Sequence, residues 1–175
     1  KLMLYTEFIM KNNLQEYREI AKEAAFEASN YLLNNKQDNL VITSETKKDI
    51  KINADIESEN IIKEIISKHS QIPILGEETG MSSDDTPSTF WVIDPLDGTI
   101  NYLKNIPLSC VSIGLIDKNK PVLGTIIDLA NNDIYEGSID HEATLNTKKI
   151  SVSSSFSIEE SILMTGLPSK TDFSD

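Results

Sequence analysis

The sequence predicts an α+β protein, a layered helix/sheet sandwich, and three observations carry that expectation. Up to about residue 70 the longer apolar patterns recur at helical spacing. Beyond about residue 88 they become short runs divided by turn-forming segments. The helices therefore precede most of the strands instead of alternating with them, the order of an α+β chain rather than of a parallel α/β sheet.

Leu14, Tyr17, Ala21, Ala24, Ala25, Ala28, Tyr31 and Leu32 mark one face of a helix over 13–34, which "NNKQDN" ends. "VITSETKKDIKIN" predicts two short strands around a mobile "SETKK" turn. A second helix is expected to follow Asp55, with Asp55 as its N-cap and Ile61, Ile62, Ile65 and Ile66 as its buried stripe. Glu57 and Glu59 suit the positive end of its dipole. "QIPIL" reads as a strand ending in "GEETG", residues 81–88 as a loop, and "TFWVI" as a strand. "LSCVSIGLI", "PVLGTIID" and "DIYEGSI", separated by "DKNK" and "LANN", predict an antiparallel meander, with "TLNTKKISVSS" and "SILMTG" as further strands.

Composition narrows the function. A formal net charge of -12 over 175 residues argues against a nucleic-acid polymer or an anionic membrane surface as partner, and suits a protein that gathers cations. The segment "KLMLYTEFIM" is too short and too polar to span a bilayer and lacks the layout of a signal peptide; Met10 is a candidate start. The single cysteine, Cys110, excludes an intrachain disulfide and fits a reducing, cytoplasmic setting, with the thiol expected in core packing. His69 and His141 lack zinc spacing and are expected at the surface.

Acidic residues gather at the ends of predicted elements: Asp55 at a helix start, Glu77 and Glu78 after one strand, Asp94 and Asp97 after another. Carboxylates brought to one edge repel unless cations join them, and magnesium, a hard ion that takes oxygen ligands, does so. In "WVIDPLDGTINY", Pro95 stiffens the turn so that the Leu96 carbonyl can also face a metal. Gly98 and Thr99 then open a short helix whose free N–H groups can cradle phosphate. Taken alone, Asp97-Gly98 reads as a hairpin turn, but "TINYLKNIP" is a poor partner for "TFWVI". An aspartyl-phosphate mechanism of the haloacid-dehalogenase type needs two aspartates two positions apart, whereas Asp94 and Asp97 are three apart with Pro95 between them.

"WVIDPLDGTINY" resembles the aspartate-proline-x-aspartate-glycine-threonine signature of the inositol monophosphatase family, magnesium-dependent and lithium-sensitive phosphatases. "LGEET" resembles the family's glycine-glutamate-glutamate motif, and "DIKINADIESE" the segment carrying its water-activating aspartate. The resemblance implies a fold of the inositol-monophosphatase/fructose-bisphosphatase type, a homodimer, and two or three Mg2+ in the intact enzyme. By match of motif, Glu77, Asp94, Asp97 and the Leu96 carbonyl would bind metal. Asp55 and Thr99, with Glu77, would prepare the attacking water. Glu77, Leu96, Asp97, Gly98 and Thr99 would line the phosphate site. The implied reaction is hydrolysis of inositol monophosphate or a similar small polyol or sugar phosphate. The alternatives are 3'(2'),5'-bisphosphate nucleotidase or fructose-1,6-bisphosphatase activity, or a non-enzymatic fragment.

The family's later tryptophan-aspartate motif has no counterpart, since Trp91 is the only tryptophan and Val92 follows it. The expectation is therefore an N-terminal extension over 1–12, a metal- and phosphate-binding α+β domain over 13–140, and over 141–175 the start of a second domain that is incomplete. The chain as given is expected to be inactive.

Overall fold

The structure is a computed structural model and describes residues 2–36, 42–45, 50–83 and 87–162. Three helices and ten strands follow one another as α1 (Leu2–Asn34), β1 (Ile42–Glu45), β2 (Ile50–Ile52), α2 (Asn53–His69), β3 (Ile74–Gly76), β4 (Gly80–Met81) and β5 (Thr89–Asp97). Then come α3 (Thr99–Lys104), β6 (Cys110–Asp117), β7 (Lys120–Asp128), β8 (Asp133–Ser138), β9 (His141–Leu145) and β10 (Lys148–Lys149). β1 and β2 form a separate antiparallel pair. The other eight make one sheet in the order β10-β9-β8-β7-β6-β5-β3-β4. Among the described residues only β3 and β5 pair in parallel; the meander expected from the turn segments is antiparallel throughout.

α1 starts at Leu2, well before the expected 13. No glycine or proline interrupts residues 2–34, so nothing local stops the helix from extending. α2 starts at Asn53, and Asp55 lies inside its first turn, not at the cap. An acidic side chain there still meets the positive end of the dipole. "TLNTKKISVSS" is strand only at its start, through β9 and β10; among the described residues Lys149 is the last in the ladder, and the Ile150 N–H still donates to the Ala143 carbonyl at 2.9 Å. The tip of "SETKK" and most of "SILMTG" lie outside the described residues.

The core sits between the helices and one face of the sheet. Along β6 the pattern alternates, with Val111, Ile113 and Leu115 buried, and Trp91 and Ile93 continue that face on β5. Ala21, Ala24, Ala25 and Ala28 are small enough to let α1 lie close against its neighbours, and Ile62 and Ile66 of α2 complete the layer. The Trp91 indole meets Tyr17 edge-on at 5.8 Å, and its N–H donates to the Ser70 hydroxyl at 3.3 Å. The Lys22 ammonium pairs with Glu136 at 3.1 Å, tying α1 to β8. The opposite face carries Ser112, Ile126 and Tyr135 in register across β6, β7 and β8, with Asp94 at the end of the same row. Among the described residues no helix is long and apolar enough to cross a membrane.

Candidate active site

The site grows from an irregularity in β5. Asp94 pairs with Ser112 and Asp97 with Cys110, so three steps along β5 match two along β6. In a regular strand residues three apart face opposite sides; the extra residue of this bulge brings Asp94 and Asp97 to one face. Pro95, which has no N–H to give a ladder, and Leu96 occupy the bulge, and both are buried. The Leu96 N–H donates to Asp94 Oδ1 at 3.2 Å and closes a local turn.

Gly98 follows at φ 81°, and a Cβ there would lie 2.6 Å from the Leu108 carbonyl oxygen, so the position requires glycine on both counts. α3 then begins at Thr99 with no side chain capping it. A helix, not a partner strand, follows Asp97-Gly98, which disposes of the hairpin alternative. The Tyr102 hydroxyl donates to the Leu32 carbonyl at 2.6 Å and anchors α3 to the end of α1.

Two further elements deliver carboxylates. Glu77 follows β3, and its N–H donates to the Ile93 carbonyl at 3.2 Å, extending the parallel pairing to the residue beside Asp94. The Glu77 carboxyl stands close enough to Asp94 to raise its pKa through hydrogen bonding and charge. Asp55, on α2, is 3% exposed and accepts from the Thr99 hydroxyl at 3.2 Å across 44 residues of sequence. That hydroxyl shares its proton with the Leu96 carbonyl, also at 3.2 Å.

Electrostatics follow from this crowding. Burial, the hydrogen bond and charge of Glu77, and the charge of Asp97 together push Asp94 from 3.8 up to about 7, against the lowering effect of the Leu96 N–H. Cys110 is half-buried rather than part of the core: its thiol lies 3.8 Å from Asp97 Oδ2. Burial, Asp97 and Asp94 raise that thiol to about 11, which keeps it protonated and a poor nucleophile. His69 and His141 are exposed and away from the site.

The structure thus joins Asp55 to Thr99, and Glu77 to Asp94, with Asp97 beside them. Among the described residues no three histidine, cysteine, aspartate or glutamate side chains are placed to hold one ion in common. The acidic contacts are pairwise. The donor set nonetheless fits a hard divalent cation: it is all oxygen, negatively charged, and includes a carboxylate raised by its like-charged neighbours.

Sequence reasoning missed Glu59. Taken as a dipole-side charge, it is fully buried and holds the backbone that follows β3. The signal was present in the pattern: Asp55, Ser58, Glu59, Ile62 and Ile66 form one buried stripe at helical spacing, and two of its members are acids.

The family model described as the inositol monophosphatase family matches residues 13–174. The inositol-1-monophosphatase of Synechocystis is 38% identical over 119 residues, 67% of this chain and 42% of that protein. The fructose-1,6-bisphosphatase/inositol-1-monophosphatase of Aquifex aeolicus is 34% identical over 91% of this chain and 61% of its own length. A solved inositol monophosphatase from Anabaena superposes with a TM-score of 0.69 at 37% identity, covering 82% of this chain and 52% of the other. The chain spans about half the length of the relatives it matches.

Proposed function

Because the chain belongs to the inositol monophosphatase family, we propose that its residues form the front part of the active site of a magnesium-dependent phosphomonoesterase. Its substrate is inositol monophosphate or a similar small polyol or sugar phosphate. The observation that carries this reading is the Thr99–Asp55 hydrogen bond set beside the Glu77, Asp94 and Asp97 carboxylates. Elements distant in sequence bring Thr99 to Asp55 and Glu77 to Asp94, contacts that support reading them as a hydroxyl with its proton acceptor and as part of a cation-binding set.

Glu77, Asp94, the Leu96 carbonyl and Asp97 are the oxygen donors that would hold Mg2+. The bound ion would neutralise the crowded carboxylates and favour ionisation of a nearby water. The Thr99 oxygen can accept a proton from the attacking water while passing its own to Asp55 Oδ1, which is buried and already hydrogen-bonded to it. At the start of α3 the Gly98 and Thr99 N–H groups would receive the phosphate oxygens. The intact protein is proposed to act as a homodimer in the cytoplasm.

The test is phosphate release from inositol monophosphate, fructose-1,6-bisphosphate and a 3',5'-bisphosphonucleoside over a magnesium titration. The 175-residue chain and a version extended to the relatives' full length are compared. Magnesium-dependent release by the extended protein, fastest on inositol monophosphate, and little by the short chain, is the expected result. Release that ignores magnesium would overturn the reading.

A further inference from the structure

We infer that Glu59 is a positioning residue of the acidic site: its buried carboxylate sets where Glu77 stands relative to Asp55 and Asp94. This rests on the proposed cation-binding reading and adds to it a residue outside the ligand set.

The geometry is that of a clamp. Glu59 lies one helical turn after Asp55 on the buried stripe of α2 and is fully buried. Its Oε2 accepts from the Glu78 N–H at 2.8 Å, and its Oε1 accepts from the Thr79 hydroxyl at 2.5 Å. The Lys63 ammonium, one turn further along α2, reaches Oε1 at 2.9 Å and also contacts the Thr79 hydroxyl. Gly76 completes the fit. A Cβ there would fall 2.5 Å from Oε1, so the last residue of β3 must be glycine for the carboxylate to sit beneath it. Glu77 is thus flanked by a glycine packed on Glu59 and by a residue whose N–H binds Glu59.

Its own N–H is held by β5 through Ile93. The backbone at Glu77 consequently has two anchors: one to the strand that carries Asp94, and one to the helix that carries Asp55. Removing Glu59 cuts the second. Outer groups that orient ligating carboxylates typically change metal affinity by about 10–100-fold when removed.

The experiment measures Mn2+ binding to the 175-residue chain by electron paramagnetic resonance, well below each variant's melting temperature. The same samples give amide hydrogen exchange at Glu78. Glu59→Gln keeps the shape and one acceptor but loses the pairing with Lys63. Glu59→Ala removes every contact. Glu64→Gln, on the same helix in an exposed pair with Lys68, is the control. Expected are Mn2+ affinities weaker by about tenfold or more in Glu59→Ala, a smaller loss in Glu59→Gln, faster exchange at Glu78 in both, and no change in the control. If Glu59→Ala does not fold, the Glu59→Gln result decides. Faster exchange at Glu78 with unaltered Mn2+ affinity would overturn the inference, since the clamp would then be structural only. Failure of the unmutated chain to bind Mn2+ would instead overturn the cation-site reading, and this inference with it.

Discussion

Glu59 and Asp94 are both carboxylates withdrawn from solvent on neighbouring elements, yet their ionisation shifts run in opposite directions. Burial alone would raise Glu59; the Thr79 hydroxyl, the Glu78 N–H and Lys63 more than reverse it and hold it below the usual range. Asp94 has one N–H donor, from Leu96, and faces Glu77 and Asp97, so burial and like charge carry it up to about 7. The difference lies in what each carboxylate is given. One receives donors enough to stay charged and serve as a fixed anchor. The other is left short of positive charge, the condition a bound cation would relieve. Their effects on stability should therefore have opposite signs, and the variants below test that contrast.

The largest effect is expected at the satisfied carboxylate. Glu59→Ala removes the carboxylate that Lys63, the Glu78 N–H and the Thr79 hydroxyl share and opens a space under Gly76. Because Glu59 is fully buried while Lys63 is partly exposed, the loss should be about 2 kcal/mol. A urea unfolding curve should show that loss in the midpoint with an unchanged slope. A loss below about 1 kcal/mol would mean that the neighbouring loop readily finds other partners.

Asp94→Asn should do the reverse. The asparagine can still accept from the Leu96 N–H and no longer repels Glu77 and Asp97. A carboxyl whose folded pKa is raised binds more protons in the native state, so its contribution to stability is complete below 3.8 and disappears as pH rises through about 7. Without metal, the unmutated chain should lose stability across that window while the variant does not. At pH 8 the variant should be the more stable by about 1 kcal/mol, after discounting for screening at a half-buried site. Mg2+ should raise the melting temperature of the unmutated chain more at pH 8 than at pH 5, and should barely affect Asp94→Asn. Equal stabilisation by Mg2+ at both pH values would sever the link between the raised carboxyl and the cation.

The same contrast explains what could be read from the sequence. Asp94, Leu96, Asp97, Gly98 and Thr99 are contiguous, and their spacing around Pro95 and Gly98 carries the local geometry, so their grouping was legible. Asp55 and Glu77 are legible as acids at element ends that could converge, but their individual roles come only through motif resemblance, because nothing local says which helix start meets which strand end. Glu59 was legible as an acid but not as an anchor. Its partners, Glu78 and Thr79, lie about twenty residues away, and a charge on a first-turn helix face has an ordinary explanation in the dipole. The β6–β8 meander followed from alternation and turn residues. The early start of α1 did not, since a polar Lys11-Asn12-Asn13 step looks like a boundary although it contains no residue that breaks a helix. Cys110 was misread for a related reason: an apolar run suggests burial on both faces, and only the register with Asp97 reveals which face it takes.

The smallest change in stability is expected at Thr99, where the separation of anchoring from chemistry is sharpest. Thr99→Val keeps the branched shape and removes the hydroxyl that bridges Asp55 and the Leu96 carbonyl. Both contacts are 3.2 Å, long for a hydroxyl donor, and share one proton. Asp55 retains a further interaction. The cost in stability should be about 0.5–1 kcal/mol. Mn2+ affinity should hardly move, because Glu77, Asp94 and Asp97 keep their places. Turnover of the version extended to the relatives' full length should nevertheless fall by about 10²–10⁴-fold, the range for loss of a positioned proton-transfer group. That pairing of a near-silent fold with a large kinetic loss distinguishes a group that handles the proton from one that holds the scaffold. A parallel loss of Mn2+ affinity in Thr99→Val would show that the hydroxyl acts by aiming the Leu96 carbonyl at the cation, and would move Thr99 to the same side of the comparison as Glu59.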